Sequence, residues 1–259
     1  MAISSPPQAL PRWLALLYAA YAIALLTLLS LSALLLILPV PWLSLRRRMV
    51  RTAARCCLGA AGMPLRVVNA QLLPRSPCVV VANHSSYLDG IVLYAALPPR
   101  FGFVIKREMS RVPVVNLLLR RIGAHFVDRG QGQKGARDTR KLMKQAAAGG
   151  ALAFFPEGTF SHQPGLLRFR SGAFVIAARA GLPVLPVVIR GTRHALAPGS
   201  FMPRPGRIDV ELLSQIAAPA STGDSSVSTV RDAARNAILE RLGEPDLAAE
   251  SRAFMLQRP

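Results

Sequence analysis

Charged residues are missing from the chain between Trp13 and Leu45, and positions 13–38 form one apolar run. As a helix this run reaches roughly 39 Å, more than the ~30 Å of a bilayer's hydrocarbon core. Pro39 and Pro41 end it, and Trp13 and Trp42 fall where interfacial aromatics sit. Residues 1–45 are therefore expected as a hydrophobic membrane segment, crossing with tilt or lying deep in one leaflet. The run is too long for a cleaved signal peptide, and no small-residue cleavage site comes after it. Arg46, Arg47, Arg48, Arg51 and Arg55 come next, among Met49, Val50, Cys57 and Leu58. Residues 46–62 read as a basic amphipathic helix on anionic lipid. Only Arg12 precedes the apolar run, so the positive-inside bias places the rest of the chain on the cytoplasmic face of the cell membrane.

After Met63-Pro64 the pattern changes to short apolar runs between longer periodic ones. Strands are expected at 65–69, 78–82, 101–105, 124–127, 151–155, 184–189 and 207–213, and helices at 87–97, 110–122, 134–148, 170–180 and 227–242. Strands that alternate with helices of this length predict an α/β domain over 63–216 with a largely parallel central sheet flanked by helices. Positions 217–228, rich in Ala, Ser and Pro, read as a linker within a C-terminal linker, helix and tail of 217–259. The last dozen residues are expected to be loose.

Charge narrows the class of partner. The net charge is +19, and residues 1–216 hold 27 basic and 7 acidic groups. Such a field favours nucleic acid, anionic lipid, or phosphorylated and thioester-carrier substrates. Of the 32 basic residues 28 are arginine, whose guanidinium binds phosphate in a bidentate way. A nucleic-acid binder is disfavoured: no aromatic-rich strand, zinc spacing or helix-turn-helix accompanies the charge, and the apolar N-terminus argues for lipid. Cys56, Cys57 and Cys78 offer neither metal spacing nor a disulfide framework, so no metal is expected and a reducing compartment is. The adjacent pair suits apolar helix packing or lipidation.

The candidate chemistry begins where the strand at 78–82 ends, in Asn83-His84-Ser85-Ser86-Tyr87-Leu88-Asp89. Imidazole is the side chain best suited to proton transfer near neutral pH, and an acid can hold its tautomer. On a continuous helix five residues would turn the two side chains roughly 140° apart. They meet only with His84 in a loop and Asp89 in the first turn of the next helix, with Ser85 or Ser86 as its N-cap. A second use for the acid is open: Ser86-x-x-Asp89 also fits a capping box. Two more acids come directly after apolar runs, Asp128 and Glu157. Arg129 and Lys134 flank a glycine-rich turn, Gly130 to Gly135, that suits a phosphate, although a surface turn with a mobile loop fits as well. Glu157 passes from a buried strand straight into a Pro/Gly turn, where a helix N-cap competes with a functional role. His125 is expected to pack in its strand, His162 to lie near the third segment, and His194 to lie on the surface.

Asn83-His84-x4-Asp89, Gly123-x2-Phe126-Val127-Asp128-Arg129, Phe155-Pro156-Glu157-Gly158-Thr159 and Leu182-Pro183-Val184-Leu185-Pro186-Val187 occur in this order. Over about 65–215 the chain resembles the 1-acyl-sn-glycerol-3-phosphate acyltransferase (lysophosphatidic acid acyltransferase) family. The resemblance implies a membrane-bound O-acyltransferase without a cofactor. Its donor would be acyl-CoA or acyl carrier protein, and its acceptor a lysophospholipid, first of all 1-acylglycerol-3-phosphate. His84 would be the general base and Asp89 its orienting acid. Arg129 would contact phosphate, and Glu157, Gly158 and Thr159 would line the acceptor site, with backbone N–H groups near Gly158 at the developing oxyanion. The family's third block usually continues with arginine, and here the position is Phe160. Lys106, Arg168, Arg170 or Arg193 would then supply the cation, or the acceptor is another lysolipid, such as a lyso-ornithine-type lipid.

Overall fold

The computed structural model describes residues 11–128 and 133–249, without the side chains of 133–136. The helices are α1 (Arg12–Ile37), α2 (Leu43–Ala60), α3 (Asp89–Ala96), α4 (Pro113–Arg121), α5 (Gln133–Ala147), α6 (Gly172–Ala180), α7 (Thr192–Ala195) and α8 (Asp224–Leu242). The strands are β1 (Leu65–Val68), β2 (Val79–Ala82), β3 (Phe101–Lys106), β4 (His125–Val127), β5 (Ala151–Phe154), β6 (Val184–Arg190) and β7 (Ile208–Leu212). They form one sheet in the order β1-β7-β6-β2-β5-β3-β4. The strands from β6 to β4 run parallel, whereas β7 pairs antiparallel with β6 and parallel with β1. The sheet is largely parallel, as expected, with an inverted two-strand edge.

Every residue of β2 and β5 is buried, the signature of parallel strands covered on both faces. Successive side chains alternate between the faces. Val80 and Ala82 join Val92 and Leu93 of α3 in one core, while Val79 and Val81 join Phe174 of α6 and Ile238 of α8 in the other. The chain leaves β2 through α3 toward β3 and leaves the adjacent β5 through α6 toward β6. Connections that depart in opposite directions open a crevice at the strands' carboxyl ends, where open α/β sheets hold ligands. The loops after β2 and β5 meet there.

Several boundaries shift for local reasons. The helix expected at 87–97 begins at Asp89, because Ser85 and Ser86 are taken up by the turn before it. The one expected at 110–122 opens as a 3-10 turn over Arg107–Arg111 and restarts at Pro113, whose fixed φ suits a first helical position. α8 starts inside the expected linker, and its Val227, Ala234, Ile238 and Leu242 all lie on the buried side. The tail residues expected to be loose fall mostly at 250–259, outside the described residues.

The first two helices pack on one another. Tyr18 donates to the Ala61 carbonyl at 2.6 Å and Tyr21 to that of Ala60 at 3.0 Å, while Leu34 and Ile37 join Val50 and Ile122. α1 alone is long and apolar enough to cross a membrane by length and composition, among the described residues. Its Leu17, Leu28 and Leu35 stand exposed. Among the arginines of α2, expected to meet anionic lipid, Arg47 is buried and Arg46 and Arg51 are half-buried. Arg51 and Arg55 donate to the carbonyl of Ala95 at 3.1 Å each, at the C-terminus of α3. Arg46 and Arg47 donate to the carbonyls of Arg121 and Ile122 at 2.8 Å, at the C-terminus of α4. Helix C-termini present unpaired carbonyls and partial negative charge, so cations dock there. Arg48 is exposed.

Candidate active site

β2 delivers Asn83 and His84 to the carboxyl edge of the sheet. Asn83 is buried and bridges to β6 through both ends of its amide: Nδ2 donates to the Ile189 carbonyl at 2.9 Å, and Oδ1 accepts the Ile189 N–H at 2.7 Å. That pairing ends the strand and sends the next residue into the crevice. The His84 ring then lies with Nδ1 2.9 Å from Asp89 Oδ2. The same oxygen accepts the N–H of Ser85 at 2.6 Å and of Ser86 at 2.8 Å. One atom of Asp89 therefore holds the turn at the helix start and faces the imidazole. Asp89 has no solvent exposure, and His84 keeps 20% of its side chain exposed. With Nδ1 on the carboxylate, the geometry favours the tautomer whose Nε2 accepts a proton. Ser86 Oγ accepts the Leu88 N–H at 3.1 Å at the helix start, as an N-cap side chain does. Ser86 Oγ donates to the Leu196 carbonyl at 2.7 Å, and Ser85 Oγ lies 3.3 Å from Thr192 Oγ1.

The loop after β5 closes over the ring. Phe155 stacks on His84 at 4.4 Å and 22°, and Phe160 meets it edge-on at 4.7 Å and 84°. Tyr87 contacts Phe160 at 4.8 Å. Phe160 thus packs against the histidine itself. Sequence reasoning gives Phe155 and Tyr87 no role. Their one signal is position, beside Pro156-Glu157-Gly158 and inside the histidine segment.

Glu157 behaves unlike an acid that lines an open site. It is 4% exposed; Oε1 accepts the His84 N–H at 2.6 Å and Oε2 the Leu167 N–H at 2.8 Å. Burial pushes its carboxyl up to about 8, against those two N–H bonds and the Arg235 guanidinium, which favour the charged form. Gly158 turns at φ +77° and its N–H donates to the Phe155 carbonyl at 3.1 Å, so that amide is already engaged away from any oxyanion. Thr159 comes next, half-buried.

The cations expected at the site are spread out. Lys106 ends β3, separated from β2 by β5, and pairs with Glu108 at 3.1 Å. Arg168 and Arg170 are exposed along the loop after Glu157. Arg193 donates to the carbonyls of Ser161 at 2.9 Å and His162 at 3.2 Å, which ties it to the residues just after Phe160. Arg129 and the glycine turn at 130–132 lie outside the described residues. His125 packs in β4 as expected, while His162 and His194 are exposed. Among the described residues no cluster of His, Cys, Asp or Glu could hold a metal.

Beside the histidine loop is a cavity of about 300 Å³ with apolar walls. Ala22, Ile23 and Leu26 of α1 form one side, Cys57 and Leu58 of α2 another, and Tyr87, Leu88 and Ile91 the side next to His84.

Residues 64–190 match the acyltransferase family. The chain is 28% identical over 186 residues to the 1-acyl-sn-glycerol-3-phosphate acyltransferase of Saccharomyces cerevisiae, a match covering 71% of this chain and 61% of the relative. It is 39% identical over 119 residues to the human lysophospholipid acyltransferase LPCAT4, covering 45% of this chain and 22% of that protein. The chain thus spans less than two thirds of these relatives' lengths. Its fold is similar to the crystal structure of the 1-acyl-sn-glycerophosphate (LPA) acyltransferase PlsC from Thermotoga maritima. That similarity has a TM-score of 0.71 at 22% identity, over 87% of this chain and 95% of that one.

Proposed function

The chain belongs to the acyltransferase family, and from that premise we propose that it moves a fatty acyl group from a thioester to the free hydroxyl of a lysophospholipid. The observation that carries the proposal is the His84 Nδ1–Asp89 Oδ2 contact at 2.9 Å at the carboxyl edge of the sheet, in a loop whose Tyr87 and Leu88 line an apolar cavity. His84 Nε2 takes the proton of the acceptor hydroxyl as its oxygen attacks the thioester carbonyl. Asp89 holds the ring and stabilises the imidazolium. Collapse of the tetrahedral intermediate breaks the C–S bond, and the imidazolium returns its proton to the departing thiolate. The products are an ester and a thiol, and no enzyme-bound acyl group forms. The donor is acyl-CoA or acyl carrier protein, and the apolar cavity offers room for a hydrocarbon chain.

The acceptor proposed first is 1-acylglycerol-3-phosphate, which would yield phosphatidic acid. Phe160 favours a second reading, a lysolipid with another head group, because it sets an aromatic ring against His84 where the family usually carries a phosphate-binding arginine. An acceptor screen on purified protein decides between them, with labelled acyl thioester and the product lipids identified by mass. Transfer to lysophosphatidate supports the first reading, and transfer to other lysolipids alone supports the second. Thioester-dependent acylation that survives His84→Ala overturns the mechanism.

Membrane attachment is proposed through the outward face of α1. A helix lying along α2, which is itself pinned to the catalytic domain by arginines, suits burial in one leaflet better than crossing. The arginine excess after α1 points to the cytoplasmic face. Protease protection of the domain in sealed inside-out vesicles would contradict that orientation.

A further inference from the structure

We propose that the C-terminal segment 235–247 is a clamp that positions the catalytic histidine through the loop after β5, with Arg235 as the positioning residue. The proposal rests on the acyl-transfer reading above.

The loop between β5 and α6 carries Phe155, Glu157 and Phe160, which reach His84 from that side. It has no helix of its own, so its shape depends on what holds it. Glu157 Oε2 accepts the N–H of Leu167, and from there the contacts lead out of the site. Arg235 of α8 donates Nε to the Leu167 carbonyl at 3.0 Å and Nη2 to the Leu166 carbonyl at 2.7 Å. Its guanidinium is held in turn by Asp246, with Nη1 3.1 Å from Oδ2 and Nη2 on Oδ1. Leu166 is fully buried and forms a parallel bridge with Asp246. Its N–H donates to the Pro245 carbonyl at 2.9 Å, and its carbonyl accepts the Leu247 N–H at 3.1 Å.

The approach between the two segments is close enough to require glycine. Gly165 sits at φ +142°, and a Cβ there would lie 2.5 Å from Leu247 Cγ and 2.9 Å from the Pro245 carbonyl oxygen. Its N–H donates to Glu244 Oε2 at 2.7 Å. One chain of contacts therefore runs from the C-terminal segment through Arg235, Leu167 and Glu157 to the backbone N–H of His84. Residues 235–247 lie beyond the stretch that matches the family, which ends at 190.

A general base must be placed within a fraction of an ångström of its proton, so loosening this chain should cost turnover before it costs acceptor binding. Arg235 is buried and its removal risks the fold, so the test uses Asp246, whose side chain is 48% exposed. In the full-length protein, Asp246→Ala should lower kcat about tenfold with acceptor KM changed less than about twofold. Amide exchange across 155–170 should quicken by about tenfold while the β6 amides keep their protection. Asp246→Glu, which can still reach the guanidinium, should recover kcat to within about threefold of the parent. Unchanged kcat overturns the positioning role, whether or not exchange rises. Faster exchange in β6 as well as in the loop also overturns it, since the effect is then global. If exchange changes as expected but even the parent protein acylates no lysolipid, the functional reading fails while the clamp stands.

Discussion

Two loops leave adjacent strands, each passes an acid from an apolar run into a turn, and the two acids do different work. After β2, Asp89 points a single oxygen at the His84 ring and at two backbone amides, and so combines a helix start with an imidazole partner. After β5, Glu157 commits both oxygens to backbone amides, one of them that of His84 itself. The first loop presents a side chain to the crevice, and the second keeps the first in place. Buried carboxylates at strand ends are thus insufficient to mark catalysis. What separates the two is whether a titratable partner with solvent access stands on the other side of the carboxylate.

The contrast between the two loops can be broken at four points. Replacing His84 with alanine should lower kcat by about 10³-fold, within the usual range for general-base loss, and leave thermal stability nearly unchanged. Asp89→Asn keeps an acceptor for the turn but disturbs the tautomer, so kcat should fall by about 10²-fold with a smaller loss of stability. Glu157→Gln should do the reverse. One backbone N–H loses its acceptor in a buried place, and urea unfolding should show a loss of about 1–3 kcal/mol. Its pH dependence is diagnostic. Burial raises the folded carboxyl from 4.5 to about 8. Between those values the folded chain keeps a proton that the unfolded chain releases. The contribution to stability is full below 4.5 and is lost as pH rises through 8. The parent's Tm, measured relative to Glu157→Gln, should therefore decline across that window, and a flat difference would refute the raised value. The smallest effect is expected from Phe160→Arg, which exchanges two ring contacts for a cation. KM for lysophosphatidate should fall by about threefold if the acceptor is a phosphomonoester, and a rise would point to a different head group.

Particular residues show which features are legible in the sequence. β2 and β5 are legible because buried parallel strands need uninterrupted apolar runs. The His84–Asp89 meeting is legible because five residues of chain can bring the two side chains together only around a loop and a helix start. The carbonyl partners of the α2 arginines are hidden, since a basic amphipathic pattern looks the same whether its cations meet phosphate or helix C-termini such as Ala95 and Ile122. Phe160 is legible as a departure from the family pattern, but its place against His84 is hidden, because nothing local aims that ring. The inverted edge formed by β1 and β7 leaves no trace, since strand direction is set by pairing and not by composition.

By itself the chain determined the apolar first helix, the alternation of strands and helices, and a histidine in a loop with an acid at the next helix start. Each depends on forces between residues a few positions apart: burial with a fixed period, turn chemistry and the stiffness of proline. Only the tertiary structure decided that Glu157 grips the backbone of His84, 73 residues away, that Arg47 serves a carbonyl 75 residues away, and that Phe160 closes on the imidazole. A buried polar group must find a partner or bear the cost of desolvation, and which partner stands in reach is settled by the packing of distant segments.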